Sequence, residues 1–311
     1  MHAARTGQHE PPVDWHDATP APWPDALVDV PLIDPHAHFH SPLTNRGDWE
    51  RYNASRLAAG ARMGVRCHVA SILGSWGATS PTYFASPSDQ TRANDFMRDL
   101  AAAHAPTVRA YVAVNPNFPA HALEEIEHGM RAGAVGIKLA AGRRADDPLL
   151  DEIARAASDF GVPVLQHIWQ HRRRDWPGQD ASDGVELARL AARHPRTTFI
   201  LAHIGGGGDW AHTSPAVVEC PNIVMDLSGS GIDRGMIDEA LQWVGAARLL
   251  WAADLTLCTG LTKARALVHT GASADDIAAM AWRNAVRIFP PGTFDASLHA
   301  PPPKRAAPED A

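Results

Sequence analysis

The chain has 311 residues, 45% of them hydrophobic and 20% charged, with a formal net charge of −7. That apolar content excludes a mainly disordered chain, and the acidic balance argues against a dedicated nucleic-acid binder. No apolar run approaches the roughly 18 residues of a membrane span. Residues 1–24 are rich in Pro, His and Ala without periodicity and carry no apolar leader segment, so they read as an N-terminal tail.

From residue 25 to 294 the chain alternates short apolar runs with longer stretches of helical spacing. A strand at 32–36 is followed by a helix at 50–64, a strand at 65–73 by a helix at 88–105, and a strand at 108–114 by a helix at 121–133. Strands at 134–139 and 163–167 lead into helices at 147–161 and 183–194. Strands at 198–203, 223–227 and 249–254 complete the set, with helices at 233–247 and 274–289, the last stopped by Pro290. Residues 295–311, with Pro301-Pro302-Pro303, read as a C-terminal tail. Parallel strands need helical crossovers, and continuously apolar strands imply burial on both faces. Eight such units predict a (β/α)₈ barrel in one domain, 25–294, rather than an open nucleotide-binding sheet. No Gly-x-Gly-x-x-Gly follows the first strand.

Three cysteines, Cys67, Cys220 and Cys258, lie far apart. They make neither a disulfide framework nor a zinc-finger spacing, which fits a reducing, cytoplasmic setting. Lysine is scarce: Lys138, Lys263 and Lys304 stand against 25 arginines.

A barrel of this kind places its active site at the C-terminal ends of the strands. Strand one ends in Asp34-Pro35-His36-Ala37-His38, strand four in Lys138-Leu139, strand five in Gln166-His167, strand six in Ala202-His203-Ile204 and strand eight in Ala253-Asp254. His36 and His38 are two residues apart, so an extended segment presents both on one face. Two neutral imidazoles there suit one divalent cation, and His167 and Asp254 would complete the set. An isolated His-x-His pair is a weak signal in a chain with 17 histidines. Five polar strand ends at one end of the barrel are harder to bury without a metal.

These residues, with Leu201-Ala202-His203-Ile204-Gly205-Gly206 and the closing 283–289 segment, resemble the amidohydrolase superfamily over about residues 30 to 290. Within it the similarity is to the amidohydrolase-2 group, the branch that includes aminocarboxymuconate-semialdehyde decarboxylase. The resemblance implies His36, His38, His167 and Asp254 as metal ligands and Asp254 and His203 as catalytic residues. The ligand types favour zinc, with manganese possible, and one ion is preferred over two. In two-metal relatives a carboxylated lysine ends strand four and the strand-six histidine holds the second ion; Lys138 and His203 stand at those places. The branch usually follows its strand-eight aspartate with a proline two residues on, whereas this chain reads Asp254-Leu255-Thr256.

The expected activity is metal-dependent hydrolysis of a small lactone, amide or ester. Asp254 would take the proton of the attacking water while His203 polarises the carbonyl or protonates the leaving group. Non-oxidative decarboxylation of an aromatic or unsaturated acid needs the same ligand cage and remains the alternative. A metal- or ligand-binding barrel without turnover is a further class. Arg143 after strand four, Arg172, Arg173 and Arg174 after strand five, and Trp76 and Trp169 are candidate substrate contacts, the arginines for an anionic group. A solvated loop explains the arginines equally well. The expected partner is a small molecule, with no nucleic acid and no membrane. A homodimer is compatible with the architecture but not specified by it.

Overall fold

The structure, a computed structural model, describes residues 23–44, 47–72, 85–168, 180, 182–204, 210–229, 231, 233–255 and 257–295. The expected tails, 1–24 and 295–311, fall almost entirely outside this set, as do Trp76, Trp169 and Arg172, Arg173 and Arg174. Among the described residues there are eight strands: β1 (Leu32–His38), β2 (Val65–Ser71), β3 (Val108–Val114), β4 (Gly136–Leu139), β5 (Val164–His167), β6 (Phe199–Ala202), β7 (Ile223–Asp226) and β8 (Leu249–Leu250). They pair in parallel in sequence order. β8 is shorter than the expected 249–254, but the barrel closes beyond it. Asp254 bridges Ala37 of β1, with its N–H donating to the His36 carbonyl at 2.7 Å. The fold is a (β/α)₈ barrel.

The helices are α1 (Asp25–Val28), α2 (Trp49–Met63), α3 (Pro87–Ala103), α4 (Pro119–Arg131), α5 (Asp151–Phe160), α6 (Gly184–Arg193), α7 (Trp210–Ala216), α8 (Met236–Val244), α9 (Leu257–Leu267), α10 (Ala274–Ala278) and α11 (Asn284–Ile288). A π-helical turn, Ala279–Arg283, joins α10 to α11, so the expected helix at 274–289 is one continuous helical run. α6 begins with a capping box between Asp183 and Glu186, and α2 ends on left-handed Gly64. No helix among the described residues is long and apolar enough to cross a membrane.

Two apolar layers follow from strand alternation. Ile33, Val69, Tyr111, Leu165, Ile200, Val224 and Leu250 come from seven strands and pack together as the barrel interior, plugged by Ala285 and Phe289 of the last helix and its C-cap. The alternate residues, such as Leu32, Leu139, Val164 and Leu201, pack outward with helix residues such as Ile126, Ile153, Leu187 and Leu190.

β1 departs from simple alternation in a way that builds the site. Ile33 faces the interior, so strict alternation would send Ala37 inward and both histidines outward. The pairing of β1 with β2 shifts between Asp34 and Ala37, across Pro35. Such a bulge reverses the facing of the strand residues beyond it. Ala37 and Phe39 now pack outward with Met97, while His36 and His38 turn into the barrel. Tyr111 anchors the irregularity, its hydroxyl donating to the Pro35 carbonyl at 2.6 Å.

Candidate metal centre

His36 Nε2 and His38 Nε2 lie 3.1 Å apart, and Asp254 Oδ1 lies 3.4 Å from each. These are the described residues whose metal-capable atoms all fall within 4.8 Å of one another. Both imidazoles are buried. Each has its other nitrogen committed to an acceptor. His36 Nδ1 donates to Asp226 Oδ2 at 2.9 Å, and His38 Nδ1 to the Ser71 carbonyl at 3.1 Å. A carboxylate or carbonyl can only accept, so Nδ1 carries the proton in both rings and Nε2 presents a bare lone pair. Burial first, then Lys138 for His36 and His36 for His38, holds both rings well below the usual histidine range, so they are neutral. Two bare nitrogens and a carboxylate oxygen aimed at one point, with outer partners fixing each ring, are the donor set a divalent ion requires.

Lys138 supplies a cation beside this cluster, its Nζ 3.2 Å from His36 Nε2. It is fully buried at the end of β4, and burial pulls its ammonium below the usual lysine range. Burial likewise raises the Asp254 carboxyl against the pull of Lys138, although a quarter of its side chain still meets solvent.

The other two expected residues form a neighbouring pair. His203 Nε2 lies 3.1 Å from His167 Nδ1, and the His203 ring stacks on His36 with centroids 5.6 Å apart. His167 follows Leu165 on the inward face of β5, so alternation alone delivers it. His203 follows inward-facing Ala202 and would point outward, but its φ of 46° turns the ring back. Asp254, φ 56°, is the other non-glycine residue in this left-handed region among the described residues. Burial lowers His203 to about 4 and holds His167 well below the usual range, so both are neutral at pH 7. The expected four-ligand set is thus gathered as a cluster of three with His167 paired to His203.

Arg143 sits in the loop after β4, its Nε donating to Asn117 Oδ1 at 2.7 Å and its Nη1 3.7 Å from Asp147, with 42% of its side chain exposed. Sequence reasoning missed the residues that orient the site. Asp226 Oδ1 accepts from the backbone N–H of His203 and Ser228 at 3.0 and 2.9 Å, and from the Ser228 hydroxyl. One carboxylate therefore fixes both the His36 ring and the His203 backbone. Its signal was present: a lone aspartate closing an otherwise apolar strand. Lys263 Nζ, buried on α9, donates to the carbonyls of Leu227, Ser228 and Gly229 and holds the turn after Asp226.

A family model described as Amidohydrolase (Amidohydro_2) matches residues 33–290, well over half of the chain. The protein belongs to this amidohydrolase family. All the residues of the cluster and of the His167–His203 pair fall within the matched region. The comparison with curated proteins returns no match. Among solved structures, the chain is similar to 5-carboxyvanillate decarboxylase from Sphingomonas paucimobilis at 19% identity, covering 84% of this chain and 99% of that one, with TM-score 0.63. It is similar to 2,6-dihydroxybenzoate decarboxylase from Rhizobium at 18% identity, covering 84% and 98%, with TM-score 0.61. It is also similar to a dihydroxybenzoic acid decarboxylase from Polaromonas sp. JS666, a structure with bound manganese and the inhibitor 2-nitroresorcinol. There the identity is 17%, the coverage 83% and 96%, and the TM-score 0.63. At these identities the likeness is one of fold.

Proposed function

We propose that this protein is a metal-dependent, non-oxidative decarboxylase of an aromatic or unsaturated carboxylic acid. The observation that carries the reading is the three-donor cluster of His36, His38 and Asp254 with the Lys138 ammonium beside it. That arrangement offers a cationic floor for a carboxylate and, next to it, a carboxyl group with a quarter of its side chain open to solvent. Likeness to decarboxylases over nearly their whole length supports this chemistry over the hydrolysis that the strand-end residues first suggested.

His36, His38 and Asp254 would hold the ion, with His167 the expected fourth ligand. Manganese is the first ion to test, from its presence in the Polaromonas structure, and zinc the second. When bound, the ion neutralises and orients the acid group of the substrate as a Lewis acid. Lys138 holds the negative charge of the substrate in the buried floor. Asp254 would hold the ion through Oδ1 and, from its other oxygen, deliver a proton to the carbon bearing the carboxylate. The carbon–carbon bond then breaks, its electron pair restores the π bond of the ring or alkene that took up the proton, and carbon dioxide leaves. Water at the exposed side of Asp254 restores the proton. His203, neutral and stacked on His36, would hold a substrate oxygen by hydrogen bonding.

The test is a paired panel of substrates offered to protein loaded with manganese. Hydroxybenzoates and carboxylated vanillates form one arm, and lactones, amides and esters the other. The reading predicts carbon dioxide release from the first arm, abolished by chelation, with one deuterium from D₂O in the product at the vacated carbon. Hydrolysis in the second arm without carbon dioxide from the first would overturn it.

A further inference from the structure

Asp254 needs its backbone held from outside. Its φ of 56° lies in the left-handed region, which aspartate tolerates better than most side chains but less readily than glycine, and the flanking Ala253 and Leu255 offer neither a glycine nor a proline to preset the turn. Both sides of Asp254 are gripped by other elements. Before it, the Ala253 N–H donates to Asp34 Oδ1 at 3.0 Å. After it, the Leu255 carbonyl accepts from Arg56 Nη1 at 2.8 Å and from the Tyr52 hydroxyl. The same guanidinium closes the circuit, its Nη2 donating to Asp34 Oδ2 at 2.9 Å. Tyr52 and Arg56 are four residues apart on α2, the spacing that puts both on one helix face. Asp34 and Arg56 are buried, so water does not compete for these bonds.

We infer that Arg56 and Tyr52 are positioning residues that clamp the peptides around Asp254 and so aim its carboxylate at His36 and His38. The inference rests on the reading of Asp254 as a metal ligand. The guanidinium is suited to the place because its planar fork serves two acceptors at fixed geometry, Asp34 and the Leu255 carbonyl. A lysine there keeps the charge beside Asp34 but cannot span both with the same geometry.

The experiment uses the full chain and the variants Arg56→Lys and Tyr52→Phe, with unfolding curves to set a temperature at which every variant is folded. Manganese affinity is measured by titration, and amide hydrogen exchange is followed in metal-free protein. Arg56→Lys should weaken manganese binding about 10- to 100-fold and Tyr52→Phe by less, as for other outer partners of metal ligands. Exchange should quicken in the peptide covering residues 251–255 and stay unchanged in β3 to β6. A merely structural role would lower the melting temperature and leave both readouts of the folded protein where they were. Manganese affinity within twofold of wild type in both variants, or unchanged exchange at 251–255, overturns the clamp. If wild-type protein binds no manganese, the decarboxylase reading fails by itself. The clamp is then judged on exchange alone: faster exchange at 251–255 upholds it and unchanged exchange overturns it.

Discussion

Asp226→Asn exchanges one carboxylate oxygen for an amide nitrogen at nearly constant volume, deep in the barrel, 2.9 Å from the His36 ring. The carboxylate accepts at both oxygens: from His36 Nδ1 on one, and from the His203 N–H, the Ser228 N–H and the Ser228 hydroxyl on the other. Asparagine has one acceptor oxygen. If that oxygen stays with the backbone donors, the amide NH₂ faces His36 Nδ1 and drives the ring proton to Nε2, the atom aimed at His38 and Asp254. If the side chain turns over, the NH₂ faces two buried N–H groups, at about 1–3 kcal/mol for each lost acceptor. The first orientation costs less, so the variant should place His36 in the wrong tautomer for metal binding. Loss of an outer partner typically weakens metal affinity about 10- to 100-fold, or about 1.4–2.7 kcal/mol. Stability of the metal-free protein should change less, because the desolvation cost of a buried carboxylate disappears with its charge. Calorimetric titration with manganese and zinc, beside thermal unfolding of metal-free protein, measures both. A variant that binds within twofold of wild type would refute the claim that Asp226 sets the His36 tautomer.

Three further outcomes are expected. His203→Ala should keep its metal and lose about 10²–10⁴ in turnover, measured by elemental analysis and kcat; loss of a stoichiometric ion would instead make His203 a ligand. Gly60→Ala would place a methyl group 2.7 Å from His68 Nε2, a ring held by Asp34 at 2.9 Å, so overpacking should cost about 1–3 kcal/mol by denaturant titration. A change under about 0.5 kcal/mol would mean that His68 moves freely. Burial pushes the Cys67 thiol up to about 12, so at pH 8 it should resist iodoacetamide until the barrel unfolds, while half-buried Cys220 labels before it; rapid native labelling of Cys67 by mass spectrometry would contradict this.

The barrel was legible because the alternation of apolar runs and helical stretches needs only local pattern, and eight such units fit few other folds. The strand ends at Lys138, His167 and Asp254 were legible for the same reason: a polar residue ending an apolar strand stands out. Local pattern also predicted a shared face for His36 and His38. It did not say which face, since that depends on the register shift across Pro35, a property of how β1 pairs with β2. The inward turn of His203 was hidden in a backbone angle that no residue type at 203 announces. Asp226 ends an apolar strand and could have been noticed on that ground, and Lys263 stood out only as a scarce lysine; their roles stayed hidden because their partners lie about 190 and 36 residues away, beyond any spacing rule. The short helices α7 and α9 were missed as well. α7 contains Pro215, and the strand-eight run was extended to Asp254, just before α9 begins.

Metal content of the purified chain, by elemental analysis after exhaustive dialysis and reloading, tests the central claim most directly. The account predicts roughly one divalent ion per wild-type chain and almost none in Asp254→Ala or in His36→Ala, with each variant still folded by circular dichroism. Wild-type protein free of metal, with any activity indifferent to chelators, would contradict it, and two ions per chain with a modified Lys138 would contradict the one-ion site.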